Sequence, residues 1–281
     1  MRAGRLKTKR YPVRHRGGWA ALLLLTGLLL GAGAVIYGRQ AWEAALPLLP
    51  GVLQPSVPSS PVSTPEAVSR EERTLTLPGH TWYALQLGAF DSAEAAESSA
   101  EAYRTRGAAG YIRRQGQYRV LAAAYASRAD AQAVMTQLRA HHQIDAVLTE
   151  ITQAEVTLRL NGRPEQLTAL NDAYDALEQM SQQLAALSDG LDRGKTDRQT
   201  ALSALRSHRD TLTALKARVD AQFGKSAPKA VKDVSDLLES VSLSLNEALS
   251  AQSTAVLGAR IKYAQLQCLC GMADYAAGLS V

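Results

Sequence analysis

Three kinds of hydrophobic spacing divide this chain. From Trp19 to Tyr37 nineteen residues pass without a charge, and as a helix they span ~28 Å, about one hydrocarbon core. From Trp82 to Thr152 the period is two, then helical, then two again, and the pattern is written twice. Tyr83, Leu85, Leu87 and Ala89 alternate with smaller or polar residues, and Tyr118, Val120, Ala122 and Ala124 repeat the alternation at an offset of 35. After the first run, Asp91 and Glu94 have capping-box spacing, and after the second Ser127 and Asp130 stand in the same relation. Ala95, Ala96, Ala100 and Tyr103, then Ala131, Val134, Met135 and Leu138, recur at helical spacing. Short strands are expected after each helix, over residues 110–114 and 144–151. The order βαββαβ predicts an α+β domain in which two helices cover one face of a four-stranded antiparallel sheet and leave the other face bare.

Beyond that domain Val156, Leu158 and Leu160 permit one more strand or an extended connector, and Pro164 suits the first turn of a helix. Three apolar stripes follow. Leu167, Leu170, Tyr174, Leu177, Leu184, Leu187 and Leu191 form the first; Leu202, Leu205, Leu212, Leu215, Val219 and Phe223 form the second. The third runs through Val231, Val234, Leu238, Val241 and Leu245 at nearly heptad spacing, then more weakly through Val256, Tyr263, Leu266 and Cys270. Turns at residues 192–194 and 223–228 imply an antiparallel bundle of three or four helices, with one long helix or two over 228–277 left open. The stripes read as the bundle's own core; an arm that docks another protein and a coiled-coil homodimer are the alternatives.

Charge is distributed unevenly. The net charge is +5, yet residues 1–18 alone hold seven Lys/Arg and no acid, so the rest of the chain offers no basic stripe for nucleic acid. Placed before Trp19, that cluster predicts a signal anchor with the N-terminus in the cytoplasm and everything after Arg39 outside. Cleavage after Ala32-Gly-Ala34 is the competing expectation, and Gly27 and Gly31 have the spacing of a helix-pairing motif. Pro47, Pro50, Pro55, Pro58, Pro61, Pro65 and Pro78, with Ser and Thr between them, make an extended spacer reaching up to ~110 Å. The expected organisation is a basic tail (1–18), a transmembrane helix (19–38), a Pro/Ser-rich linker (39–80), an α+β domain (81–152) and a helical bundle (153–281).

Tyr83-Ala-Leu-Gln-Leu-Gly-Ala-Phe90, followed by Gly116-Gln-Tyr-Arg-Val120 and Ser127-Arg-Ala-Asp-Ala131, resembles the SPOR domain, whose first strand carries a Gln-x-Gly-small-Phe pattern. Ala123 and Ala124 depart from the family, standing where a Gly-Pro pair is common. The resemblance implies a ferredoxin-like fold that binds peptidoglycan glycan strands stripped of stem peptides, in division or sporulation, and it implies that Gln86 faces the glycan. A peptide-free glycan offers hydroxyls, acetamides and flat C–H faces, so amides beside small or apolar side chains suit it. With Leu85 and Leu87 directed at the helices, Ala84, Gln86 and Gly88 are expected to face away, and by the repeat Arg119, Leu121 and Ala123. Gln86, Gly88, Tyr118, Arg119 and Leu121 are the candidate glycan contacts.

Catalytic and cofactor chemistry finds no support in the sequence. His15, His80, His141, His142 and His208 are scattered without metal-ligand spacing, and no phosphate loop, dinucleotide fingerprint or nucleophile elbow occurs. Cys268 and Cys270 would point to opposite sides of one helix, as buried small hydrophobes. Three functional classes compete: a non-catalytic, membrane-anchored wall-binding protein, a wall hydrolase or its regulator targeted by the SPOR-like sheet, and an RNA-recognition domain. The first is expected; the third lacks the Gly-aromatic third strand of that class.

Overall fold

A ribbon of two strands joins two parts of the structure. The computed structural model describes residues 69–279. The basic tail, the expected transmembrane helix and the linker up to residue 68 lie outside the described residues. Strand β1 (Glu71–Leu77) pairs antiparallel with β6 (Val156–Gly162), Leu77 opposite Val156. Their inner side chains, Leu75, Leu77 and Val156, pack into the core of the helical region. The expected linker of 39–80 is therefore corrected at its end: residues 71–77 are a strand, because Leu75 and Leu77 have a helix to pack on.

Residues 80–153 form the βαββαβ domain, inserted between the two ribbon strands. It consists of β2 (His80–Phe90), α1 (Ala93–Arg104), β3 (Tyr111–Gln115), β4 (Gln117–Tyr125), α2 (Arg128–His142) and β5 (Val147–Gln153). The sheet order is β3-β4-β2-β5, antiparallel throughout. Helix α1 begins one residue later than the capping pattern suggested: Ser92, not Asp91, accepts the Ala95 amide. Ser127 caps α2 by accepting the Asp130 amide. Such caps are worth about 0.5–2 kcal/mol each. Both helices pack on one face of the sheet, through Ala96 and Ala100 against Val120, and through Ala131 against Leu85 and Ala122.

Four helices complete the described residues: α3 (Pro164–Asp192), α4 (Arg198–Phe223), α5 (Lys229–Leu249) and α6 (Thr254–Leu279). Each packs on the next and α6 returns to α3, closing a four-helix bundle. Pro164 opens α3, and Asp197 opens α4 by accepting the amides of Gln199 and Thr200. Residues 228–277 are two helices, because the Ser253 hydroxyl accepts the Val256 amide and starts α6 afresh. Leu177, Leu184, Leu205, Leu212, Leu238, Leu245, Leu257 and Ile261 fill the bundle core. The insert and the bundle fall within one compact unit. Among the described residues no helix is long and apolar enough to cross a membrane.

Two glycines define how tightly the insert is drawn. Gly110, before β3, has φ +58°, and a Cβ there would stand 2.7 Å from the Ala100 carbonyl oxygen. Gly116, in the β3–β4 turn, has φ +71° with no described atom within 4 Å of that position. Gly116→Ala should therefore cost only the left-handed strain, about 1 kcal/mol, and Gly110→Ala more than about 2 kcal/mol, measured by urea denaturation. Equal losses would show that the Ala100 contact yields freely.

Candidate functional site

The sheet face away from α1 and α2 is the place where the sequence locates a ligand, and β2 and β4 form its centre. The two strands bulge twice where they pair. Between the Ala84–Ala124 and Gln86–Leu121 pairs β4 carries the extra residue, and between Gln86–Leu121 and Gly88–Val120 β2 carries it. A single bulge exchanges the faces of everything beyond it.

The five candidate residues consequently divide. Gln86 lies opposite Leu121 and Val147, and Arg119 lies two residues from Leu121 in an unbroken pairing with β3; these share the face away from the helices. Gly88 lies opposite Val120 on the helix side, where a Cβ would meet the Phe90 ring at 2.8 Å. Its expected orientation is thus corrected, and its small size serves the Phe90 ring. Tyr118 also packs on the α1 side, beside Phe90 and Val120, with the Arg114 guanidinium 5.6 Å from its ring centre.

The face itself is not bare, which corrects the second expectation. Trp82, Ala84, Ala109, Leu121, Ala124 and Ile151 pack against Leu266, Leu269, Cys270 and Ala273 of α6. Leu121 and Ile151 are sealed to 1% and 2% exposure, and full burial of such side chains is worth about 1.5–3 kcal/mol each. Polar contacts frame the apolar patch. Lys262 Nζ donates to the Gly107 carbonyl at 3.1 Å, Gln265 Nε2 to the Ala124 carbonyl at 3.1 Å, and Arg113 pairs with Asp274 at 2.7 Å. Tyr111 meets Tyr263 edge to face, centroids 5.2 Å apart. Cys270 lies beside Tyr111; burial pushes its thiol up to about 12 and raises the Tyr111 phenol as well. Cys268, on the other side of α6, donates to the Leu177 carbonyl inside the bundle.

What remains open is one corner of the face. Gln86 and Arg119 are half-buried, Ala89 is exposed beside Arg119, and Val147 is 63% exposed beside Gln86. Arg119 Nε is buried with no hydrogen-bond partner among the described residues. An amide, an unsatisfied guanidinium donor and two small apolar side chains can receive hydroxyl and acetamide groups. Among the described residues no group of three or more His, Cys, Asp or Glu could hold a metal ion.

The cover on the sheet was the main feature that the sequence reading missed. Two signals pointed to it. Trp82, Ala84 and Ile151 put apolar side chains on the face expected to be bare, and residues 254–279 carry apolar side chains on two opposite sides of the helix. A helix of that kind needs a partner on each apolar side.

Comparison with known proteins agrees with the motif: residues 79–150 match the family model of the SPOR domain. The matched segment coincides with the inserted sheet and its two helices. No curated protein and no solved structure matches the chain. A SPOR domain implies peptidoglycan binding, and it is a binding domain rather than a catalytic one.

The division of the candidates separates recognition from stability. Leu121→Ala should cost about 3 kcal/mol in urea denaturation, while Gln86→Ala should stay within about 0.5 kcal/mol of the parent. A large loss from Gln86→Ala would mean that this amide supports the sheet instead of facing outward.

Proposed function

We propose that this chain is a membrane-anchored, non-catalytic protein whose SPOR domain holds peptidoglycan glycan strands denuded of their stem peptides, in division or sporulation. The observation that carries the proposal is the SPOR match over residues 79–150, on a segment that folds as the inserted βαββαβ sheet. The chemistry of the open corner supports it. Gln86 and Arg119 offer directed donors, Gln86 an acceptor, and Ala89 and Val147 a shallow apolar surface. A glycan without peptides carries few charges, and this arrangement asks for few.

The rest of the chain fits that role. A basic tail before an uncharged run of nineteen residues suits a signal anchor, and the proline-rich segment after it suits a tether that reaches from membrane to wall. The bundle supplies a rigid base for the insert and a surface for an envelope partner or a second copy. The neutral balance of the folded part gives nucleic acid nothing to grip.

The test uses the folded unit, residues 66–281, on purified sacculi with and without amidase pretreatment. Retention should rise after peptide removal, and Gln86→Ala and Arg119→Ala should each lower it about 5- to 20-fold, the loss of one or two directed hydrogen bonds. Equal retention on treated and untreated sacculi, or release of soluble muropeptides by the unit itself, would overturn the proposal.

A further inference from the structure

We propose that α6 is an intramolecular cover for the glycan face, and that residues 80–153 turn away from the bundle as one body to uncover it. The inference rests on the glycan reading above and adds regulation of the same site.

Chain topology permits the motion. The insert joins the bundle through only two crossings, Pro78–Gly79 and Ala154–Glu155, which run side by side. The ribbon pairing ends at Leu77–Val156, and the sheet pairing begins at His80–Gln153. Gln153 Nε2 donates to the Pro78 carbonyl at 2.8 Å, and a Cβ on Gly79 would stand 3.1 Å from the Glu155 nitrogen. The two crossings thus form one narrow double-stranded hinge, so a rotation there breaks no pairing in either sheet.

The cores are divided in the same way. Leu85, Ala122 and Ala131, with Ala96, Ala100 and Val120, belong wholly to the insert. The α6 residues Leu257, Ile261, Ala264, Cys268 and Met272 belong to the bundle. Among the described residues one apolar cluster spans the two bodies, Trp82, Leu121 and Ile151 with Leu266, Leu269 and Cys270, and α3 touches its edge through Ala185 and through Glu178, which pairs with His80 at 2.6 Å. Separation therefore opens one cluster and leaves the others intact. Beside that cluster lies a cleft of about 1190 Å³, between Asp130 and Gln137 of α2 and Gln182 and Asp189 of α3. On that side α2 of the insert stands clear of α3, and the insert meets α3 at the His80–Glu178 pair.

Ligand chemistry supplies the reason to open. The exposed corner has directed polar groups but no aromatic platform. Trp82 and Tyr111, the aromatic rings on the same face, lie under α6. A sugar's C–H face stacked on Trp82 would replace the apolar contacts that α6 gives up, while Gln86 and Arg119 keep the hydroxyls in register. Glycan and α6 would then compete for one surface, and binding would select the open arrangement.

Cys270 reports the interface, because it faces the sheet and Cys268 does not. In a full-length Cys268→Ala protein, iodoacetamide labelling of Cys270 is measured at pH 8, alone and with amidase-treated sacculi, while retention on the same sacculi is scored. Bound glycan should speed labelling at least about tenfold, since opening restores both access and an ordinary thiol. Two further variants open the interface by different means. Ala273→Glu places a wedge on the sheet side of α6, and Lys262→Ala with Asp274→Ala removes the bonds to Gly107 and Arg113, together with the Lys262–Asp192 pair between α6 and α3. Either should label faster without glycan and retain about three- to tenfold more of it; circular dichroism reports whether the wedge variant keeps its helices, and the polar double variant leaves the apolar core untouched. Glycan retention with Cys270 still protected would overturn the cover and leave the glycan reading standing. Fast labelling in the opened variants with no retention of glycan by any form would overturn both.

Discussion

A helix buried on two opposite sides is the constraint on which the described structure depends. Leu257, Ile261, Ala264, Cys268 and Met272 turn α6 into the bundle, and Leu266, Leu269, Cys270 and Ala273 turn the same helix into the sheet. With both sides apolar, α6 is stable only between two partners. The bundle supplies one through α3 and α5, and the sheet supplies the other through β3, β4 and β5. The two layers are therefore coupled chiefly through a shared element, with the His80–Glu178 pair to α3 at its edge. The ribbon of β1 and β6 complements this coupling, because it fixes where the insert leaves the bundle, and hence which face of the sheet α6 meets.

Much of this architecture was legible because the periods were clean. Tyr83, Leu85 and Leu87 announced a strand, Ser127 a helix cap, and the stripes from Leu167 to Val219 two helices with a common core. The third stripe shows the limit of such patterns. Val231 to Leu245 does line the bundle, but its continuation through Tyr263, Leu266 and Cys270 packs on the sheet instead. The bundle side of α6 is carried by Leu257, Ile261, Ala264 and Cys268, residues that a heptad drawn from α5 passes over. A break between α5 and α6 resets the helical phase, so a stripe extended across Ser250–Ser253 follows the wrong side.

The site was legible to a lesser degree. Gln86, Arg119 and Leu121 do share a face, as strict alternation requires, but Gly88 does not, because the second bulge lies between Gln86 and Gly88. Bulges depend on how two strands align, and neither strand alone carries that information. β1 was hidden for another reason. Its first residues, Glu71, Glu72 and Arg73, are charged, and its apolar face consists of Leu75 and Leu77 alone, too short to announce a strand without Val156 and Leu158 opposite.

On the proposed reading, a sheet that binds glycan faces a physical conflict that the α6 contact resolves. Stacking on sugars requires exposed aromatic and aliphatic side chains, yet Trp82, Leu121 and Ile151 left in water would form a contiguous apolar patch of the kind that draws proteins together. Covering the patch with a helix of the same chain satisfies it by an intramolecular contact, which needs no second molecule and carries no association entropy. The polar frame around the patch sets how firmly the cover is held. In the Arg113–Asp274 pair the carboxylate is 68% exposed and the guanidinium 12%, so water competes for Asp274 while Arg113 is largely sealed. Lys262 and Gln265 bond to backbone carbonyls of the insert, bonds that are given up when the insert turns away, and Gln265 is sealed to 1% exposure. The apolar contact is the part of the closure for which, on the proposed reading, the carbon face of a sugar is a substitute.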